Sequence, residues 1–360
     1  MFQYFKKFDW ILLVSVLLLI GVGLISIYSI SLGKADFLNF KKQLIFAGIG
    51  IILLFLVSFF DWHGFRENPY FILTLYLICI IALIGLFFFV PEIRGIKSWY
   101  KIGPLFFDPI GITTLVLTIL LAKFFSMRHI EMYKLSHILL SGLYVLVPFI
   151  LIWGQPNLGS ALILIVLWVG ILVLSGIKLR HFFILTLCGI LVLILSWQFV
   201  LKDYQKKRVI SFLAPQFEPL GINWSQNQAK IAIGSGGFWG KGIGKGSQSQ
   251  YGFLTEPQTD FIFASIAEEF GLMGIILLLF LFGALVWRIM RVAMFSASNF
   301  PRLFASGLTI FLVAQIFIHI GMNLGILPVI GISLPLISYG GSNLIAVLLG
   351  IGILQSIRVH

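Results

Sequence analysis

Charge is scarce in this chain: only 11% of its 360 residues are charged, and Asp and Glu together number 13. With 59% apolar residues and a mean hydropathy of +1.06, a soluble fold of this length lacks the polar surface to cover itself, so the water-soluble classes are excluded. Cysteine is almost missing. Cys79 and Cys188 both lie inside apolar runs, which excludes a disulfide or zinc framework. There is no His-Glu-x-x-His motif, and Gly240-Lys241 and Gly244-Lys245 are each followed by glycine where a Walker A loop needs Ser or Thr. A structural metal and an ATP-driven pump are therefore not expected. A cleavable leader is not expected either: the first apolar run, 10–30, exceeds the roughly 7 to 15 residues of a signal-peptide core and has no small-residue cleavage site behind it.

What is present is a succession of apolar runs, each near the roughly 17 to 25 residues that cross a bilayer. They fall near 10–30, 43–60, 70–90, 105–125, 136–153, 158–176, 181–200, 258–287, 302–323 and 334–357. The expected fold is an all-α polytopic membrane protein with about ten transmembrane helices. It forms one domain over 1–360, with one large extracytoplasmic loop, 201–257, between spans 7 and 8. No internal repeat is evident. An even number of spans puts both termini on one side.

Lysine and arginine in the short loops set the orientation. Lys6, Lys7, Arg66, Lys123, Arg128, Lys134, Lys178, Arg180, Arg288, Arg291, Arg302 and Arg358 fall on the side of the termini. The other side's short loops carry Lys34, Lys41, Lys42, Arg94, Lys97 and Lys101. The termini are therefore expected in the cytoplasm and the 201–257 loop outside. Polar residues within spans gather toward that outer face: Gln155, Asn157, Gln198, Glu268, Glu269, His319 and Asn323. Such groups must face protein or water, which implies a hydrated cavity opening outward. Trp99 and Tyr100 suit an interfacial aromatic belt, and the 36 phenylalanines suit lipid-facing bulk.

The outer loop carries Lys202, Lys206, Lys207, Arg208, Lys230, Lys241 and Lys245 together with glycines between 234 and 246. Glycine-rich turns can wrap a phosphate whose charge Lys230, Lys241 and Lys245 would neutralise. A flexible connector whose lysines meet anionic lipid headgroups fits the same composition. At the loop's end, Thr255-Glu-Pro-Gln258 has the form of a capping box, which predicts a helix with Asp260 in its second turn, near the positive end of its dipole. Ala264, Ala267, Gly271 and Gly274 would share its face and mark close helix packing. Intramembrane acids are functional by default, so Asp260 becomes the candidate catalytic residue. Glu268 and Glu269 are either further functional acids or partners of a nearby Lys or Arg. His319, one turn before Asn323, reads as a group hydrogen-bonded within the bundle.

Three stretches, Phe253-Leu-Thr-Glu-Pro-Gln-Thr-Asp-Phe-Ile-Phe263 with Ala267-Glu-Glu-Phe-Gly271, Lys230-Ile-Ala-Ile-Gly-Ser-Gly-Gly237, and Leu334-Pro-Leu-Ile-Ser-Tyr-Gly-Gly-Ser342, resemble the SEDS proteins of bacterial shape, elongation, division and sporulation. The resemblance spans nearly the whole chain, including Tyr28-Ser29 and Phe37 to Gln43, and is closer to the elongation branch than to the division branch. It implies a ten-span glycosyltransferase that polymerises lipid II, with its essential aspartate at Asp260. It places Lys42, Glu256, Thr259, Ser338, Gly340 and Ser342 at the substrate. It also implies a class B penicillin-binding protein and other elongation-complex membrane proteins as partners. Nucleic acid is not expected as a partner. No cofactor is required by this chemistry; a divalent cation, magnesium or manganese, is a candidate helper in screening pyrophosphate. Four positions depart from the family pattern: Ser98 for arginine, Gly111 for glutamate, Thr114 for lysine and Asn157 for aspartate. Arg94, Lys97 or Lys101 are candidate substitutes. A lipid II flippase, or a non-catalytic scaffold that activates the penicillin-binding protein, would use the same spans and cavity.

Overall fold

The computed structural model describes residues 7–64, 69–90, 98–103, 105–128, 135–199, 201, 203–213 and 223–359. Lys6, Arg66, Glu92, Arg94, Lys97, Lys134, Lys202, Glu218 and the two loop prolines before Asn223 lie outside the described residues.

Among the described residues, ten apolar helices form the membrane body. They are α1 (Trp10–Lys34), α2 (Leu38–Phe59), α3 (Pro69–Phe89), α4 (Pro109–Arg128), α5 (Leu135–Gly154), α6 (Leu158–Leu174), α7 (Leu179–Phe199), α11 (Ile262–Phe295), α12 (Asn299–Leu324) and α13 (Gly341–Val359). Nine are long and apolar enough to cross a membrane, and α6 is a shorter apolar helix of 17 residues, so the protein is a multi-pass membrane protein. The loop after α7 is itself structured, with α8 (Asp203–Leu213), α9 (Trp224–Ser235) and the single turn α10 (Ser247–Gln250).

The fold is all-α as expected, with one small addition before the fourth span. A small antiparallel hairpin, β1 (Tyr100–Ile102) and β2 (Leu105–Phe107), precedes the fourth span, which therefore starts at Pro109 rather than near 105. Proline at the first helical position suits that start, because its missing N–H would have no intrahelical partner there. The Tyr100 hydroxyl donates to Ala82 O at 2.6 Å, so this ring is tied to α3 as well as lying at the bundle's end.

Neighbouring spans meet through small residues and buried apolar faces. The chain's last span, α13, lies along α2; α11 packs on α12 and α1; α4 touches α3, α12 and α13. Phe125, Phe261, Phe263 and Phe304 are among the largest fully buried side chains, so part of the phenylalanine content fills the core instead of facing lipid. By contrast, α7 buries no residue. Asn157, one of the departures from the family pattern, caps α6 by accepting from Ser160 N at 3.2 Å.

At the end of the bundle that holds both chain termini, Asp9 is buried and caps α1 through Leu12 N. Its carboxylate also accepts from Arg288 Nε and Nη2 of α11 and from Arg358 of α13, while Gln355 exchanges two hydrogen bonds with its backbone. One carboxylate thus joins three spans, and the expected even topology follows from where Asp9 and Arg358 meet.

Candidate active site

The site is built on a broken helix. Gly271 in α11 has φ 65° and ψ −162°, outside helical geometry, and the break would leave carbonyls and amides unpaired inside the bundle. The glycine-rich loop supplies the partners. Lys241 N and Gly242 N donate to the carbonyls of Glu268 and Glu269 at 3.0 and 2.9 Å, and Leu272 N and Met273 N donate to Gly237 O and Phe238 O at 2.9 and 3.2 Å. This approach requires bare backbone: a Cβ on Gly240 would lie 2.2 Å from Glu269 O, and one on Gly271 would lie 2.3 Å from Gly240 N. The loop glycines expected to cradle a phosphate are therefore largely engaged in docking the loop onto α11.

The two glutamates beside the break hold the same loop. Glu268 is fully buried and accepts from Lys241 Nζ at 2.8 Å, Gln248 N at 3.0 Å, and Ser249 N and Oγ at 3.2 Å each. Glu269 accepts from Ser29 Oγ of α1 at 2.6 Å and from Gln250 Nε2 at 3.2 Å. The pairing alternative considered for these acids thus describes Glu268, whose partner is Lys241. The Lys241 ammonium is directed at Glu268 in this structure, while Lys245 is exposed beside the turn that Gly242 begins.

Asp260 lies before α11 and not within it. The capping-box reading is corrected here: residues 255–261 form turns, and the helix begins at Ile262 with Phe261 as its N-cap. Thr255 Oγ1 bonds Ser225 Oγ at 2.6 Å, and the Gln258 side chain donates to Ser31 Oγ at 3.3 Å and accepts from Asn39 at 2.7 Å, so neither residue serves a local cap. Because Asp260 precedes the helix and Gly271 breaks it, the predicted stripe through Ala264, Ala267, Gly271 and Gly274 does not continue the face of Asp260. Glu256, exposed and at φ 48°, directs its carbonyl toward the amides of Thr259 and Phe261.

Three successive carbonyls of this turn are held from other elements. Gln258 O accepts from Tyr339 N at 2.8 Å, Thr259 O from Ser338 Oγ at 2.8 Å, and Asp260 O from Asn323 Nδ2 at 2.9 Å. The Asp260 side chain is partly accessible and faces the 331 turn, where a Cβ on Gly331 would come 3.8 Å from Oδ2.

The remaining family positions surround that turn. Gln43 of α2 donates to Ser338 O at 3.2 Å and accepts from Gly340 N at 3.3 Å, so α2 grips the Ser338–Gly340 segment. The adjacent Lys42 is nearly buried, with its ammonium 5.2 Å from the centre of the Phe106 ring. Ser342, buried at the start of α13, accepts from Asp108 N at 2.8 Å. Part of Asp108 stays accessible, yet protein atoms crowd its carboxyl, and this desolvation pushes its pKa up to about 7 against a stabilising bond from Ile110 N. Lys230 is exposed on α9 and lies across Gly325, the left-handed cap of α12, where a Cβ would come 2.4 Å from Nζ. Its charge complements that helix end.

The structure therefore brings Asp260, Thr259, Ser338 and Gly340 around one turn, with Lys42 beside Gln43 on α2 and over the Phe106 ring, and Lys230 near the end of α12. It places Lys241 on Glu268 and Lys245 on the loop's outer side. Gly111, where the family carries glutamate, faces α13, with a built Cβ 3.3 Å from Asn343 Cα and from Ala346 Cβ. Lys101 is exposed on the hairpin. Asn39 and Gln43 were not singled out as site residues by sequence reasoning, although polar side chains within an apolar run were the signal that could have found them. His319 donates from Nδ1 to Ile332 O at 2.7 Å, a contact within the bundle. Among the described residues no three His, Cys, Asp or Glu side chains come together to hold a metal ion.

This arrangement has counterparts among known proteins. Residues 9–360 match the family model FtsW/RodA/SpoVE, described as cell cycle protein. The chain is 39% identical over 292 residues to the peptidoglycan glycosyltransferase MrdB of Escherichia coli (strain K12), covering 79% of this chain and 77% of that protein. It is 34% identical over 363 residues to the stage V sporulation protein E of Bacillus subtilis (strain 168), covering 97% and 96%. A structure described as "Structural coordination of polymerization and crosslinking by a peptidoglycan synthase complex" superposes with a TM-score of 0.81 at 30% identity, over 98% of this chain and 97% of that one. The crystal structure of the Thermus thermophilus rod shape determining protein RodA gives a TM-score of 0.72 at 29% identity, over 98% and 96%. On a match that runs from the first span to the last, with the turn carrying Asp260 inside it, the chain belongs to the FtsW/RodA/SpoVE family, the SEDS proteins.

Proposed function

We propose that this protein is a peptidoglycan glycosyltransferase that polymerises lipid II into β-1,4 glycan strands at the outer face of the bacterial cytoplasmic membrane, with Asp260 as general base. The observation that carries the reading is the held turn at residues 258–260, which sets the partly exposed Asp260 where the ends of α2, α11, α12 and α13 converge. Lipid II needs an enzyme that works on a sugar in water while its tail stays in the bilayer. A partly hydrated site at the end of a helical bundle suits both.

In the proposed reaction, Asp260 takes the proton from the 4-hydroxyl of the acceptor N-acetylglucosamine. The freed oxygen attacks the anomeric carbon of the muramoyl donor, and the bond to pyrophosphate breaks with its electron pair leaving on undecaprenyl pyrophosphate. A single displacement inverts the configuration and needs no glycosyl-enzyme. Pyrophosphate leaves without a proton when cations screen it, so one carboxylate suffices, unlike the pair used by most glycosidases. Lys42, beside Gln43 on α2, Lys230, at the end of α12, and Lys245, on the loop, are the candidate screening groups. Lys241, engaged with Glu268, contributes by holding the loop and reaches the leaving group only by exchanging that partner. Glu256, Thr259, Ser338, Gly340 and Ser342 shape the acceptor and donor cradle.

The termini face the cytoplasm in this reading, because the end that holds Asp9, Arg288 and Arg358 is also the lysine- and arginine-rich one. The partner is a class B penicillin-binding protein that crosslinks the product; the similarity to a chain from a peptidoglycan synthase complex supports this pairing. The test is the purified chain and its partner incubated with lipid II, with glycan strands read as a ladder on a gel. Wild type gives a ladder and Asp260→Asn gives none. Equal ladders from the two proteins would falsify the general-base role, and lipid II transfer across vesicles without polymer would favour a flippase.

A further inference from the structure

Asn323 is fully buried in α12, and both halves of its amide are in use. Oδ1 accepts from Ala264 N at 3.2 Å, while Nδ2 donates to Asp260 O at 2.9 Å and to His319 O at 2.8 Å. The two carbonyls can only accept and the Ala264 amide can only donate, so the partners fix which way the side chain is turned. Phe261, the N-cap of α11, makes no side-chain cap bond, so Asn323 caps this helix from a different span while gripping the residue before that cap.

Resting on the reading of Asp260 as the base, we propose that Asn323 is its positioning residue. Ser338 and Tyr339 already hold the carbonyls of residues 259 and 258, and the Asn323 amide completes the row at 260. With this backbone fixed, the carboxylate can move only by rotation of its own side chain. A base must sit within hydrogen-bond reach of the proton it removes. Asn323 itself is sealed from the site by burial, so it acts on the reaction only through Asp260.

Asn323→Asp separates the two duties. An oxygen remains for Ala264 N–H, which preserves the helix cap, but a second oxygen replaces the donor to Asp260 O. In full-length protein reconstituted in vesicles with its partner, and with rates taken per folded molecule, Asn323→Asp is expected to unfold below the wild-type temperature, because its second oxygen faces Asp260 O and His319 O with no proton to give. Its kcat should fall by about 100-fold, the scale of a displacement near 1 Å, with an unchanged KM for lipid II. Asn323→Ala loses both bonds and is expected to be less stable as well as slow. A wild-type kcat in Asn323→Asp overturns the proposal, as does a rise in KM without loss of kcat. So does an activity loss that only follows the folded fraction in both variants. Asp260→Asn run in parallel keeps the two ideas apart. If it is inactive while Asn323→Asp is fully active, positioning fails alone; if it is active, the base assignment fails.

Discussion

Glu268→Ala tests whether the outer loop is held by the helix break. The carboxylate is fully buried and receives two backbone amides, Gln248 N and Ser249 N, besides the Ser249 hydroxyl and the Lys241 ammonium. The Lys241 side chain keeps 29% of its surface accessible, so it turns to water in the variant and its ion pair contributes little to the loss. Each amide stranded in the interior costs roughly 1 to 3 kcal/mol, giving about 2 to 6 kcal/mol for local opening of the loop. Even the lower bound raises the open population about 30-fold, because each 1.36 kcal/mol is a factor of ten. Hydrogen exchange followed by mass spectrometry on peptides covering 240–250 should show that acceleration, while peptides from α4 and α13 remain unchanged. Wild-type exchange in 240–250 would mean that Glu268 does not secure the loop, and the account of the break would have to be abandoned.

Two further outcomes follow from the same geometry. Gly271→Ala places a Cβ 2.3 Å from Gly240 N on backbone at φ 65°, so the folded yield in detergent should collapse, and a stable variant would show that the break is not required. The folded pKa of Asp108, about 7, lies above its ordinary value of 3.8, so the native state binds the proton more tightly than the unfolded chain. Its contribution to stability is therefore fully present below about pH 4 and lost as pH rises through 7. Asp108→Asn should flatten this part of the thermal-stability profile and gain most against wild type above pH 7; parallel profiles would refute the assignment.

The membrane body was legible because hydropathy is a property of each segment alone. Each of the ten apolar runs became a helix, including the short sixth. Turns and caps were harder, since they are decided by distant partners. Thr255 and Gln258 have the right spacing for a capping box, yet Ser225, Ser31 and Asn39 claim their side chains, and the helix starts later. Glycines 236 to 246 were readable as permissive backbone, but composition does not say whether a phosphate or another main chain approaches. Here a Cβ on Gly236 would lie 2.0 Å from Ala267 O, and the neighbour is protein. Asp260 stands out in the sequence as an acid in an apolar run, but its place before the helix, rather than in its second turn, is set by partners on other spans. The hairpin at 100–107 was missed because its apolar residues merge with those of the following span.

The Asp9 junction bears on the order in which the protein is made. Asp9 leads the first span and Arg358 closes the tenth, with Arg288 between them in the chain. During synthesis the aspartate enters the bilayer edge long before its partners exist, and a buried carboxylate missing its cations is costly. The early spans must therefore stay loose, or keep that end wet, until α11 and then α13 arrive. Closing the bundle at the end that holds Asp9 thus waits on the last span, and a chain halted before α13 would leave that carboxylate without Arg358.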